Sequence, residues 1–79
     1  MKKYNEQSNV VGNLVKKHRE QKKYTKADLS RKLDLVGVNL DGTEIKRIED
    51  NVQIIKDFEL IAFIKVLDID MKELEDLVG

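Results

Sequence analysis

The sequence predicts an all-α domain of five short helices, and three observations lead to this fold class. Apolar residues recur three and four positions apart along most of the chain, as they do on one face of a helix. Two segments carry a helix-start signal, in which a capping residue is followed three positions later by an acid: Thr25 with Asp28, and Asp70 with Glu73. The 79 residues contain no proline and form, by length, one domain over 1–79.

The first helix is predicted from about Val10 to Lys22, with Ser8 or Asn9 as its N-cap. Residues 1–8 before it are expected to form a flexible arm. The inner stripe of this helix consists of Val11, Leu14, Val15 and His18. Its other faces carry five cations, namely Lys16, Lys17, Arg19, Lys22 and Lys23. This basic run is either a phosphate-binding patch or a solvated face, and the sequence leaves both interpretations open.

The second helix is predicted to start in the segment TKADLSRKL. Thr25 can cap it, and Asp28 then lies in the positive first turn of the helix. Leu29 and Leu33 face inward, and the small Ser30 allows another helix to pass close by.

The third helix is predicted from about Thr43 to Asp50, with Asp41 or Thr43 as its cap. Ile45 and Ile48 turn inward. Four side chains are left outside this stripe, namely Thr43, Glu44, Lys46 and Arg47. The segment is too short to be stable without tertiary contacts.

A connector of nine residues, Asp34 to Gly42, separates the second and third helices. Val36, Val38 and Leu40 alternate within it and are expected to pack against the domain, while Gly37 supplies an unusual backbone turn. We therefore predict a packed, extended turn, and the angle between the two helices remains open.

The fourth helix is predicted in the segment KDFELIAFIKVLDI and should be the most buried. Its apolar stripe consists of Leu60, Ile61, Ile64 and Leu67, broadened by Phe63 and Val66. A fifth helix starts at Asp70. Its apolar residues either close the core or face a partner, and they are Leu74, Leu77 and Val78.

Three segments together resemble the Cro/cI-type helix-turn-helix family, also called the Xre family. YTKADLSRKL matches the first helix of the motif, TEIKRIE the second, and DFELIAFIKVLDIDMKEL the last two helices of the domain. The resemblance covers roughly Val11 to Leu74. The connector departs from the three or four residues of the plain motif, although some members have a similar longer turn. Lys26 stands where the family usually has Gln, and Ser30 where it usually has Ala.

The resemblance implies a five-helix, lambda-repressor-like domain that binds double-stranded DNA as a transcriptional regulator. The third helix would lie in the major groove, where Arg47 or Lys46 could bond guanine, Glu44 could accept from cytosine, and Thr43 could meet a thymine methyl or a phosphate. Thr25, Lys26 and the neighbouring backbone N–H groups would hold phosphates. Gly42 completes the expected DNA-binding set. Glu49 matches a structural glutamate of the family and is expected to bond within the domain.

A dimer on two half-sites is the expected working form, with contacts from the last helix. No small-molecule ligand domain is expected. The alternative is a protein-interaction module that keeps the helix-turn-helix fold but no longer binds DNA, with Phe63, Leu74, Leu77 and Val78 facing a partner helix. Asp41, Glu44, Glu49 and Asp50 favour this alternative, because they make the third helix acidic. A positive surface around Thr43 would favour DNA, and a negative one a protein partner.

Charge is distributed unevenly along the chain. Net charge is zero, but residues 1–33 hold ten Lys/Arg against three acids, and residues 34–79 hold five against twelve. This asymmetry indicates either one face for an anionic partner or mutual attraction between the halves.

Other classes of function find little support in the residue inventory. No nucleophile–base pair, glycine-rich phosphate loop or metal cluster is visible, so neither an enzyme nor a cofactor is expected. His18 is the only histidine and there is no cysteine, so we interpret His18 as an edge-of-core residue. No secretory signal or membrane span is recognisable, and a cytoplasmic protein is expected.

Overall fold

The computed structural model describes residues 8–77 and contains within them five α-helices and no β-strand. The helices are α1 (Gly12–Gln21), α2 (Lys26–Leu35), α3 (Gly42–Glu49), α4 (Asp57–Leu67) and α5 (Met71–Asp76). The all-α prediction and the number of helices are confirmed over this range. The expected arm, with Lys2 and Lys3, lies outside the described residues except for Ser8, and Val78 also lies outside them.

The core is formed where α3 packs on α1 and α2, and where α4 packs on the same two helices. Phe63 of α4 is its largest fully buried side chain, and the other seven are Val15, Leu29, Leu33, Leu40, Ile45, Ile48 and Leu67. Removing such apolar surface from water stabilises the fold by roughly 25 cal/mol per Å². Because α3 has only eight residues, this packing supplies the stability that the helix lacks alone.

One residue of the predicted inner stripe of α4 is wrong, since Ile61 is 64% exposed. Phe63 is completely buried, as its place in the broadened stripe predicted, so the alternative in which it faces a partner helix is wrong. The buried side of α4 is centred on Ala62, Phe63 and Leu67. The cause is the breadth of the apolar pattern, since a helix with apolar residues on most faces does not reveal its inner face by period alone.

Arg19 is also buried, with 7% of its surface exposed, although it was predicted on an outer face of α1. Its guanidinium pairs with the Glu49 carboxylate at the end of α3. A charged side chain is tolerated in the interior only when it is paired in this way. The expectation that Glu49 bonds within the domain is therefore confirmed.

Helix α1 begins at Gly12, two residues later than predicted, where it touches the end of α3. A Cβ atom added to Gly12 would lie 2.1 Å from the Ile48 carbonyl oxygen, so only glycine fits. The N-cap of α1 is Val11, so the prediction of Ser8 or Asn9 is wrong. Asn9 instead accepts the Gly12 N–H at 2.8 Å and donates to the Ile48 carbonyl at 3.1 Å. The Asn51 side chain donates back to Asn9 Oδ1 at 3.1 Å. These contacts join the start of α1 to the end of α3.

The two predicted helix starts differ in outcome. Thr25 and Asp28 form the reciprocal capping box, with hydrogen bonds of 3.0 and 2.9 Å. Asp70 caps α5 by accepting the Lys72 N–H at 3.0 Å. Glu73, however, does not close a second box, because its carboxylate accepts from Lys17 of α1 at 3.0 Å and contacts His18 at 2.7 Å.

The connector between α2 and α3 is shorter than predicted, since α2 continues to Leu35 and only residues 36–41 lie between the helices. Gly37 has a positive φ of 84°, as expected from its backbone freedom. Its N–H donates to the Asp34 carbonyl and the Val38 N–H donates to the Leu33 carbonyl, each at 3.0 Å. This pair of bonds is the Schellman helix ending.

The rest of the connector packs on the domain. Val38 and Leu40 are buried as predicted, but Val36 is 39% exposed. The Ser30 hydroxyl donates to the Leu40 carbonyl at 2.6 Å and ties the connector to α2. Ser30 therefore holds the connector by a hydrogen bond, in addition to being small enough to allow close approach.

Candidate nucleic-acid interface

The outer face of α3 carries three polar side chains of the predicted site. Thr43, Lys46 and Arg47 are exposed, and with Asp50 they recur three and four positions apart on one side of the helix. The opposite side is buried and consists of Ile45, Ile48 and Glu49. The amphipathic pattern of this helix is therefore the one predicted.

The start of α3 is closed by its own carboxylates. Asp41 is the cap, with Oδ1 accepting the Glu44 N–H at 2.8 Å, and Glu44 Oε1 accepts the Asp41 N–H at 3.3 Å. This reciprocal box settles the open choice between Asp41 and Thr43. It leaves the Thr43 side chain exposed and, among residues 8–77, without a hydrogen-bond partner. Glu44 is half-buried and turned toward the helix start.

The two cations of α3 differ in their surroundings. Lys46 Nζ donates to Asp50 Oδ2 at 2.7 Å, which raises the pKa of Lys46 and lowers the pKa of Asp50. The Arg47 guanidinium has no hydrogen-bond or ion-pair partner within the described range and is exposed. Arg47 is therefore the side chain of α3 most available to an anion.

The start of α2 lies beside the start of α3. A Cβ atom on Gly42 would be 3.8 Å from Lys26 Cβ, an ordinary van der Waals distance. The hydrogen bond from Lys46 is the largest cause of the lowered pKa of Asp50, and the positive charges of Lys16 and Lys26 lower this pKa further. The structure thus brings Lys26 to the α3 residues predicted with it, and adds Lys16.

We call this region the α2–α3 surface, and it comprises Lys16, Thr25, Lys26, Asp41, Gly42, Thr43, Glu44, Lys46, Arg47 and Asp50. Four of these residues are cations and three are acids. Sequence reasoning placed Lys16 in a basic run on α1, and no motif linked it to α3. Thr25 belongs to this surface through its position before Lys26, although its hydroxyl already accepts the Asp28 N–H.

The chemistry available here is hydrogen-bond donation from flexible cations together with one free hydroxyl. Within residues 8–77, no group of three or more His, Cys, Asp or Glu side chains could hold a metal ion. None of the five helices is long and apolar enough to cross a membrane.

Comparisons with protein-family models, with curated proteins and with solved structures find no match to this chain.

Proposed function

We propose that this protein is a sequence-specific, double-stranded DNA-binding transcriptional regulator of the Cro/cI helix-turn-helix type. In this proposal α2 and α3 are the two helices of the motif in a lambda-repressor-like arrangement, and α3 enters the major groove. One observation carries it: the unpaired, exposed Arg47 shares a helix face with Thr43 and lies on the same surface as Lys26.

Roles follow from the chemistry of each side chain. Arg47 donates to guanine O6 and N7, and Thr43 meets a thymine methyl or a phosphate. Each good base contact is worth about 1–3 kcal/mol of discrimination. Lys16 and Lys26 neutralise phosphates and position the domain without reading sequence.

Lys46 and Glu44 have more constrained roles. Lys46 contacts DNA only by leaving or sharing Asp50, because the two are joined by an ion pair. Glu44 accepts from cytosine N4 only if its carboxylate keeps a free lone pair while it accepts the Asp41 N–H. We therefore expect Arg47 to dominate base reading.

A random-sequence DNA selection at two salt concentrations tests this function. We expect a defined motif at the lower concentration and a weaker yield at the higher one, because phosphate contacts release counterions. Arg47→Ala should alter the selected motif. Lys72→Ala on α5 removes the same charge from another helix and should leave the motif unchanged.

A protein-interaction module remains the second candidate, favoured by one observation. The capping box fixes Asp41 and Glu44 at the start of α3, and Asp50 follows its end. These carboxylates repel phosphates. If no DNA is retained even at low salt, where phosphate attraction is strongest, the regulator proposal fails and this candidate replaces it.

A further inference from the structure

The outer side of α4 carries an apolar face that the domain itself does not cover. Phe58 is 54% and Ile61 64% exposed, and Val36 of the connector is 39% exposed. A groove of about 250 Å³ runs along these residues, and its lining also includes Gly37, Val38, Ala62 and Lys65. Aromatic and β-branched side chains exposed together in this way are typical of an interaction surface.

Opposite charges lie on either side of Ile61 along α4. Asp57 precedes it by four residues and Lys65 follows it by four, so the two charges are about 12 Å apart along the helix. Within the described part of the chain neither side chain forms an ion pair, and the Asp57 carboxylate accepts only the Phe58 N–H, at 2.7 Å. The row Asp57–Ile61–Lys65 thus has an apolar centre and unpaired, opposite ends.

We propose that a second copy of this chain covers this face, with α4 crossing the partner's α4 about a two-fold axis at Ile61. In the commonest class of helix packing, at about 50°, rows of residues four apart lie alongside each other. The row Asp57–Ile61–Lys65 then runs antiparallel to its own copy. Ile61 packs on the partner's Ile61, and Asp57 faces the partner's Lys65.

The symmetry of the charges is the reason to choose a second copy as the occupant. A two-fold interface uses the same patch on both subunits, so that patch must be complementary to itself. A row with opposite charges at equal distances from its centre meets this requirement when it is reversed. An unrelated partner would not require such symmetry.

This inference deepens the proposed function, since a two-fold dimer suits two DNA half-sites, but the association needs no DNA. It also differs from the initial expectation, in which the last helix makes the dimer contact, by assigning that contact to α4. The exposed large apolar residue of α5, to which the earlier expectation would apply, is Met71, which is 59% exposed.

Sedimentation equilibrium of the full chain without DNA tests the interface. We expect the mass to rise with concentration toward twice 9.2 kDa. Ile61→Glu should keep the mass at that of one chain, because it would bury two carboxylates at the two-fold axis. Met71→Glu, a matched substitution at similar exposure, should leave association unchanged. Circular dichroism establishes that both variants are folded.

A charge reversal tests the orientation. Lys65→Glu should raise the dissociation constant about tenfold, because each dimer then holds two repulsive contacts in place of two attractive ones. Adding Asp57→Lys to that variant should recover most of the affinity, because the charges are exchanged.

Three results would overturn the inference: a wild-type mass that stays at one chain, equal effects of Ile61→Glu and Met71→Glu, or no recovery in the double variant. A wild-type monomer that still selects a DNA motif would rule out the α4 interface but not the proposed DNA-binding function. A dimer that selects no motif would rule out that function but not the interface.

Discussion

Arg19 Nε donates a hydrogen bond of 2.6 Å to Glu49 Oε2, and its Nη2 donates one of 3.1 Å to Oε1, which joins α1 to the last residue of α3. Nη1 donates to the Tyr24 carbonyl at 2.9 Å. The two side chains are only 9% and 2% exposed, and the bond to Glu49 raises the pKa of Arg19. This fork fixes the inner side of α3 and leaves its outer side free for a ligand.

Breaking this pair from one side should be costly. We expect Arg19→Met to lower the free energy of unfolding by about 3–5 kcal/mol, because it leaves the Glu49 carboxylate buried without its partner. Adding Glu49→Leu should restore most of the loss. Urea unfolding measures both. Arg31→Met, in the exposed pair with Asp28, is the control and should change little. A small loss for Arg19→Met alone would contradict the argument.

Two glycines should respond oppositely to alanine. Gly12→Ala drives a methyl group into the Ile48 carbonyl, so we expect a loss of about 3 kcal/mol in unfolding free energy. Gly42→Ala meets only Lys26 Cβ at 3.8 Å and should gain about 0.5 kcal/mol by restricting the unfolded chain. Thermal and urea unfolding of the pair provide the measurement. Similar effects at both positions would show that the close approach at Gly12 is unimportant.

Left-handed residues after two helices provide another contrast. Lys23 and Asn51 have φ of 59° and 65°, at the ends of α1 and α3. We expect Lys23→Gly to stabilise the protein by about 1 kcal/mol, because its exposed side chain gains nothing from this conformation. Asn51→Gly relieves the same backbone strain but removes the hydrogen bonds to Asn9. It should therefore be less favourable than Lys23→Gly, and equal gains in urea unfolding would argue against a role for the Asn9–Asn51 contact.

The attachment of α5 to α1 should weaken in acid. Hydrogen bonds from Lys17, and then from His18, hold the pKa of Glu73 below its ordinary value of 4.5. A depressed folded pKa stabilises the protein above that ordinary value, and this contribution is lost as pH falls through the lower folded pKa. Glu73→Gln should therefore flatten the fall in Tm between about pH 5 and pH 3. Glu75→Gln, on the same helix, is the control and should keep the wild-type profile.

Two variants should distinguish residues that read bases from residues that bind phosphates. Arg47→Ala should relax preference at one position of the selected DNA motif, because it removes a base contact. Lys26→Ala should weaken all sequences alike and reduce the salt slope by about one. Quantitative binding at several salt concentrations distinguishes them. An unchanged slope for Lys26→Ala, or an identical motif for Arg47→Ala, would remove the corresponding role.

Features set by neighbouring residues were predictable from sequence. The capping box of Thr25 and Asp28 needs only residues within one turn, and Gly37 is suited to a positive φ wherever the chain must reverse. The exposed side chains of α3, namely Thr43, Lys46 and Arg47, were predicted from the spacing of Ile45 and Ile48. These local rules placed both ends of the first and third helices within two residues of their observed bounds.

Features set by distant contacts were not predictable in the same way. Arg19 lies in a run of cations, and only Glu49, thirty positions away, explains its burial. The period of α4 did not identify its inner side, because the choice between Ile61 and Phe63 depends on what α1 and α2 present to it. Lys16 of α1 belongs to the α2–α3 surface only because α1 packs on α3.

The alternation of buried and exposed residues in the connector provides a position where a probe can be attached. Asn39 is exposed between the buried Val38 and Leu40, just before the cap of α3. Since the chain has no cysteine, Asn39→Cys would introduce its single thiol at an outward position. A fluorophore coupled there would lie next to the start of α3 and leave the buried side chains of Val38 and Leu40 in the core.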